Sequence, residues 1–124
     1  MILADTNIII DYLKNKRSDF ENLIDKDDIA TCGIILSELI HGARTEKDKV
    51  DITEAIKELQ WLSIDDDIWQ DVGNNLNKLK TQGLTIPFQD AVLATLCINK
   101  NIPIMTNDTH FIKIAEILQN LKLF

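Results

Sequence analysis

Histidine and cysteine are scarce, with two of each among 124 residues. Cys32 and Cys97 lie in apolar surroundings and have no C-x-x-C spacing, so they read as small core residues of a chain kept in a reducing compartment. With His41 and His110 as the only imidazoles, a zinc site of the usual His/Cys kind cannot be assembled. Long apolar runs are missing too. No strictly apolar stretch is longer than Ala91–Ala94, far short of the ~20 residues that span a bilayer. Asp5 and Asp11 interrupt the N-terminal apolar stretch, which argues against a signal peptide and leads us to expect a cytoplasmic protein without a membrane anchor. Basic charge is short: 13 Lys and Arg stand against 20 Asp and Glu, for a formal net charge of −7. A general nucleic-acid-binding module carries a basic face, so this balance argues against one. It leaves room for an enzyme that holds a cation between itself and a phosphate, and for a basic partner.

Carboxylates are thus the only plentiful metal ligands. The hydrophobic fraction of 45% with 27% charged residues is ordinary for a globular chain and excludes disorder. No repeat, low-complexity stretch or linker divides the sequence, so residues 1–124 are expected to form one domain. Short apolar segments at 2–5, 29–32, 61–64 and 102–106 read as strands. Between them, helical spacing predicts helices over 6–15, from 18 onward, over 34–44 and 48–60, after Asp65-Asp66-Asp67, from Pro87, and from near Thr109. The three aspartates read as a solvated loop and helix start, Gly83 as the end of the helix before it, and the terminal LKLF as an edge strand. Strands alternating with amphipathic helices predict an α/β fold, a central parallel sheet with helices on both faces. In such sheets functional groups gather at the carboxyl ends of the strands, near the topological switch point.

Four carboxylates are placed to meet at that edge. Asp5 closes the first strand in DTN, and Asp108 follows the last strand in TND. Asp90 heads a helix whose next eight residues, AVLATLCI, are all apolar or small, where its simplest role is to cap the helix. Glu38 sits in ILSELI between apolar neighbours, which argues against a surface position. Two carboxylates about 4 Å apart repel by about 4 kcal/mol at an effective dielectric near 20. Several in one pocket therefore require protons or bridging cations, and oxygen-only ligands select Mg²⁺ or Mn²⁺ before Zn²⁺. A carboxylate-held Mg²⁺ is common apparatus for water attack on a phosphodiester.

The segments ILADTNIIIDYL, ILSELIHGA and DIWQDVGNNLNKLKTQGLTIPFQDAVLATLCINKNIPIMTNDTHF, in this order and separation, resemble a PIN domain of the VapC type, the ribonuclease toxin of type II toxin–antitoxin pairs. The resemblance covers nearly the whole chain. It implies a PIN-like single domain and a Mg²⁺- or Mn²⁺-dependent endoribonuclease whose metal ligands and catalytic residues are Asp5, Glu38, Asp90 and Asp108. Thr6, Asn7 and Thr106 match polar positions that orient these carboxylates by hydrogen bonds. His110 stands where many relatives carry another acid, which puts a second, outer metal position in doubt. Arg44, Lys47 and Lys49 are candidate contacts to RNA phosphates, although a solvated loop explains them as well. The resemblance further implies an RNA substrate, a homodimer and a tightly bound antitoxin laying a helix in an apolar groove, for which residues 7–14 and 34–60 are the expected walls.

Three rivals are weaker. A phosphatase of the haloacid-dehalogenase type needs D-x-D after the first strand, where this chain has Asp5-Thr6-Asn7. A response-regulator receiver needs a lysine after a late strand, where Asn107 and Asp108 stand. A catalytically silent interaction domain would use the acids only as helix caps and would be indifferent to Asp90→Asn.

Overall fold

The structure, a computed structural model, describes residues 1–15 and 18–124. Strand β1 (Ile2–Ala4) is buried at every residue, as is β2 (Ile29–Cys32), which is the pattern of strands covered on both sides. β3 (Gln60–Leu62) lies at one edge and β4 (Ile104–Met105) beside β1, in the order β3-β2-β1-β4. All pairings are parallel, with Leu3 opposite both Ala30 and Ile104. The chain winds outward from β1 through β2 to β3, then crosses back to place β4 on the other side of β1. The reversal puts a switch point between β1 and β4, where a doubly wound sheet opens a crevice.

Seven helices among the described residues complete the α/β fold. Helices α1 (Thr6–Asn15) and α2 (Ser18–Asp25) connect β1 to β2, and α3 (Gly33–His41) and α4 (Glu46–Lys57) connect β2 to β3. Helices α5 (Trp69–Thr81) and α6 (Phe88–Lys100) return the chain to β4, and α7 (His110–Ile117) follows it. α1, α3 and α4 pack together, and α5 packs on α6, so the helices form two layers around the sheet. In α6 every residue from Ala91 to Cys97 is buried, so this helix is core all round. Its one polar member there, Thr95, donates to the Ala91 carbonyl at 2.7 Å and accepts from Asn75 Nδ2 at 2.9 Å.

Several boundaries depart from the sequence expectation. α4 begins at Glu46 rather than 48 because Thr45 caps it, its hydroxyl accepting from Asp48 N–H at 3.0 Å. α3 stops at His41 instead of 44, and β4 shrinks to two residues from the expected 102–106. The three aspartates are exposed as expected, and a 3₁₀ turn over Asp66–Ile68 leads into α5. Gly83 does end the turn after α5, at φ 87°, a conformation that costs other residues strain. LKLF forms a single parallel bridge, Leu123 to Ile104, in place of a full strand.

Candidate functional site

Asp5 is the hinge between β1 and α1. Its N–H donates to the Met105 carbonyl at 2.9 Å, and its own carbonyl accepts from Ile8 and Ile9 at 3.1 and 3.3 Å. The strand therefore ends and the helix starts on the same residue, which turns the side chain toward the switch point. That side chain is 6% exposed and fully engaged. Oδ1 accepts from Thr6 N–H at 2.8 Å and lies 3.5 Å from the Thr6 hydroxyl, while Oδ2 accepts from the Thr106 hydroxyl at 2.7 Å.

Thr106 and Asn7 carry the network across the sheet. Thr106 Oγ1 accepts from Asp108 N–H at 2.9 Å and from Asn7 Nδ2 at 3.4 Å, and Asn7 Oδ1 accepts from Asn107 N–H at 3.0 Å. The three polar residues singled out in the sequence thus bind the start of α1 to the loop after β4. In that loop Asp108 Oδ1 accepts from His110 N–H at 2.9 Å and lies 3.5 Å from His110 Nδ1.

Asp90 approaches from α6. No side chain caps this helix, whose N-cap is Pro87, so the expected capping hydrogen bond is not made. Asp90 in the first turn still suits the helix dipole. Burial, then the charges of Asp5 and Asp108, push its carboxyl from 3.8 up to about 6, against a smaller opposite effect of His110. Glu38, on α3, is pushed up by burial and then by Asp5 and Asp90, and its Oε1 is buried with no hydrogen-bond partner. Asp90 thus feels the charges of Asp5 and Asp108, and Glu38 those of Asp5 and Asp90. Ligand atoms of Asp90, Asp108 and His110 lie within 4.8 Å of one another.

These features fit a divalent cation. A buried carboxylate oxygen without a donor costs about 1–3 kcal/mol or more, and mutual repulsion raises the cost. A cation answers both at once. The sequence treated His110 as the loss of an acid, whereas the fold makes it a member of the tightest trio. Its two-residue spacing from Asp108 was the available signal.

The two thiols are inert, as expected: burial pushes Cys32 up and Cys97 up to about 12. Of the three basic candidates, Lys47 and Lys49 are engaged in exposed ion pairs on α4, while Arg44 shares a cavity with Glu38. Lys47 pairs with Asp51 at 2.8 Å and Lys49 with Glu46 at 3.1 Å on the solvent side of α4. Arg44 lines a cavity of about 440 Å³ among α1, α3 and α4, whose walls include Ile10, Leu13, Leu39, Ile52 and Glu38. The apolar groove thus opens onto one of the four acids.

A family model described as the PIN domain matches residues 2–117. Ribonuclease VapC1 of Methanocaldococcus jannaschii is 32% identical over 117 residues, which cover 93% of this chain and 82% of that protein. The solved structure of VapBC2 from Rickettsia felis, bound to a promoter DNA fragment, superposes with a TM-score of 0.84 at 24% identity, covering 100% of this chain and 98% of that one. DNA-bound VapBC from Salmonella typhimurium gives a TM-score of 0.84 at 21% identity over 99% and 96% of the two chains.

Proposed function

The chain belongs to the PIN-domain family, and on that premise we propose that it is a divalent-metal-dependent endoribonuclease, the toxin of a type II toxin–antitoxin pair, with residues 1–124 acting as one PIN domain in the cytoplasm. The observation that carries this reading is the buried, partnerless Glu38 oxygen together with an Asp90 carboxyl pushed up to about 6 by burial and then by the charges of Asp5 and Asp108. A group of carboxylates kept in mutual repulsion is a poor structural device and a good cation site.

Asp5, Glu38, Asp90 and Asp108 are the residues that would hold Mg²⁺ or Mn²⁺. Such an ion, when bound, lowers the pKa of water and offsets negative charge on phosphoryl oxygens. The protein supplies the rest. Thr6 and Thr106 donate to Asp5 and fix both its oxygens, so its position costs no reorganisation during reaction. Asn7 ties the loop carrying Asp108 to α1, which sets the separation of the two acids. At a formal charge of −7, the acidic crevice repels an RNA phosphate until a cation lies between them. Hydrolysis would be in-line attack of water at phosphorus, breaking the P–O3′ bond to leave a 5′-phosphate on one product and a 3′-hydroxyl on the other.

The groove beside Glu38 suits the antitoxin. Its apolar walls match the residues 7–14 and 34–60 expected from sequence, and an amphipathic helix laid there reaches the acidic crevice at its end. Solved structures of this fold include members of the VapBC family of toxin–antitoxin systems, and the homodimer is proposed for this chain on the resemblance to that family. No helix among the described residues is long and apolar enough to cross a membrane.

The test is cleavage of total cellular RNA by purified protein with Mg²⁺ or Mn²⁺, alongside chelator and Asp90→Asn. Discrete metal-dependent fragments that vanish in the variant support the reading. Cleavage unaffected by the variant sinks it, and so does protein that neither cleaves nor binds a divalent ion.

A further inference from the structure

An oxygen-only quartet treats Mg²⁺ and Mn²⁺ nearly alike, but this chain places an imidazole among its acids. His110 and Asp108 are two residues apart where α7 begins, so the backbone holds them together. Their side-chain atoms are 3.5 Å apart, and a ligand atom of Asp90 completes a group within 4.8 Å. Around an octahedral ion with bonds of about 2.1 Å, neighbouring ligands sit roughly 3 Å apart and opposite ones about 4.2 Å apart. At up to 4.8 Å the trio is somewhat wider than such a sphere, so side-chain rotation would draw it in around one ion. His110 is also 57% exposed, so the core does not hold it, and its approach to Asp108 is what places the imidazole here.

We propose that His110 is a selectivity-determining ligand, which turns the outer side of the site into a mixed carboxylate–imidazole set that favours Mn²⁺ and other first-row transition ions over Mg²⁺. The inference rests on the metal-dependent reading above and specifies which ion that site takes. The chemistry is that of donor softness. Imidazole nitrogen bonds Mn²⁺, Fe²⁺ and Co²⁺ increasingly well along the series, whereas Mg²⁺ keeps water or oxygen ligands in preference. An acid at position 110 would add charge without this discrimination. His110 would thus decide the ion without altering the number of groups around it.

The experiment uses the full chain, freed of bound ions by chelator, and titrates Mg²⁺, Mn²⁺ or Co²⁺ alone by calorimetry. Co²⁺ is also followed by its visible absorption. His110→Ala should weaken Mn²⁺ and Co²⁺ binding by about 10-fold or more, the scale of losing one oriented group at a metal site, and Mg²⁺ binding by less than about 3-fold. His110→Asp should restore total affinity while bringing the Mn²⁺ and Mg²⁺ constants together, and both variants should change the Co²⁺ spectrum. Equal loss for all three ions in His110→Ala, or an unchanged Co²⁺ spectrum, overturns the assignment and leaves the metal-dependent reading standing. Failure of the wild-type chain to bind any of the ions overturns both.

Discussion

The Thr106 hydroxyl donates to Asp5 Oδ2 at 2.7 Å across 101 positions of sequence, and the same oxygen accepts from Asp108 N–H at 2.9 Å. One side-chain atom thus sets the spacing between an acid at the end of β1 and another beyond β4. Thr106→Val keeps the shape and removes these bonds together with the one from Asn7, leaving a buried carboxylate oxygen short of a donor. Urea denaturation should show a loss of about 1.5–3 kcal/mol, the range for hydrogen bonds to charged groups. Divalent-ion affinity should fall about 10-fold or more, and Thr106→Ser should recover most of both.

The pH dependence of the ion-free protein follows from Asp90. Its carboxyl is raised from 3.8 to about 6 in the folded state, so between those values the folded chain keeps a proton that the unfolded chain has released. Stability from this group is therefore present at the acidic end of the window and lost as pH rises through about 6. Glu38, raised by burial and by Asp5 and Asp90, acts in the same direction. With chelator present, the melting temperature should be lower at pH 7 than at pH 5 through this contribution, and Asp90→Asn should shrink the difference. Saturating Mn²⁺ should reverse the trend, since ligands bind the metal in their deprotonated form.

Thr95 offers a separation of architecture from site. It is fully buried in α6, bonded to the Ala91 carbonyl and to Asn75. Thr95→Val strands the Asn75 amide and should cost about 1–3 kcal/mol in denaturant unfolding. Ion affinity, measured by calorimetry, should stay within about 3-fold of the wild type, because no acid of the crevice bonds to Thr95.

Ile10 is 42% exposed on α1 and lines the groove that reaches Glu38. Ile10→Glu places a charge on the apolar wall while leaving the core untouched. Co-purification with the co-expressed antitoxin should weaken by about 10-fold or more, and RNA cleavage by the variant alone should persist. Retained inhibition by the antitoxin would move its binding site elsewhere.

Much of the fold was legible because its signals are local. The apolar segments ILA and IATC can only be strands buried on both faces, and AVLATLC only a buried helix. The strand-end rule located Asp5 and Asp108 at one edge of the sheet without coordinates, and there Thr106 joins them by hydrogen bonds. What escaped the sequence depends on contacts across the sheet. β4 spans only two residues because its pairing with Leu3 and Ala4 ends there, and no local pattern announces that limit. The capping of α4 by Thr45 was readable from its three-residue spacing to Asp48 and was missed. The capping bond expected at the start of α6 is absent because the N-cap is Pro87, which has neither a side-chain acceptor nor an N–H to offer. The resemblance cast His110 as the loss of an acid, and only the fold shows what stands beside it.

The ties between Asn7 and Asn107 and between Asp5 and Thr106 join positions 100 and 101 residues apart. A nascent chain emerging in order carries Asp5 and Glu38 long before Thr106 and Asp108 arrive to meet them. Contacts of such high sequence separation form late, after the entropy of closing the intervening chain has been overcome. Assembly of the acidic crevice is consequently coupled to completion of the domain, since a fragment ending before β4 lacks Thr106 and Asp108. The crevice acquires its geometry only once nearly all of the domain has been synthesised.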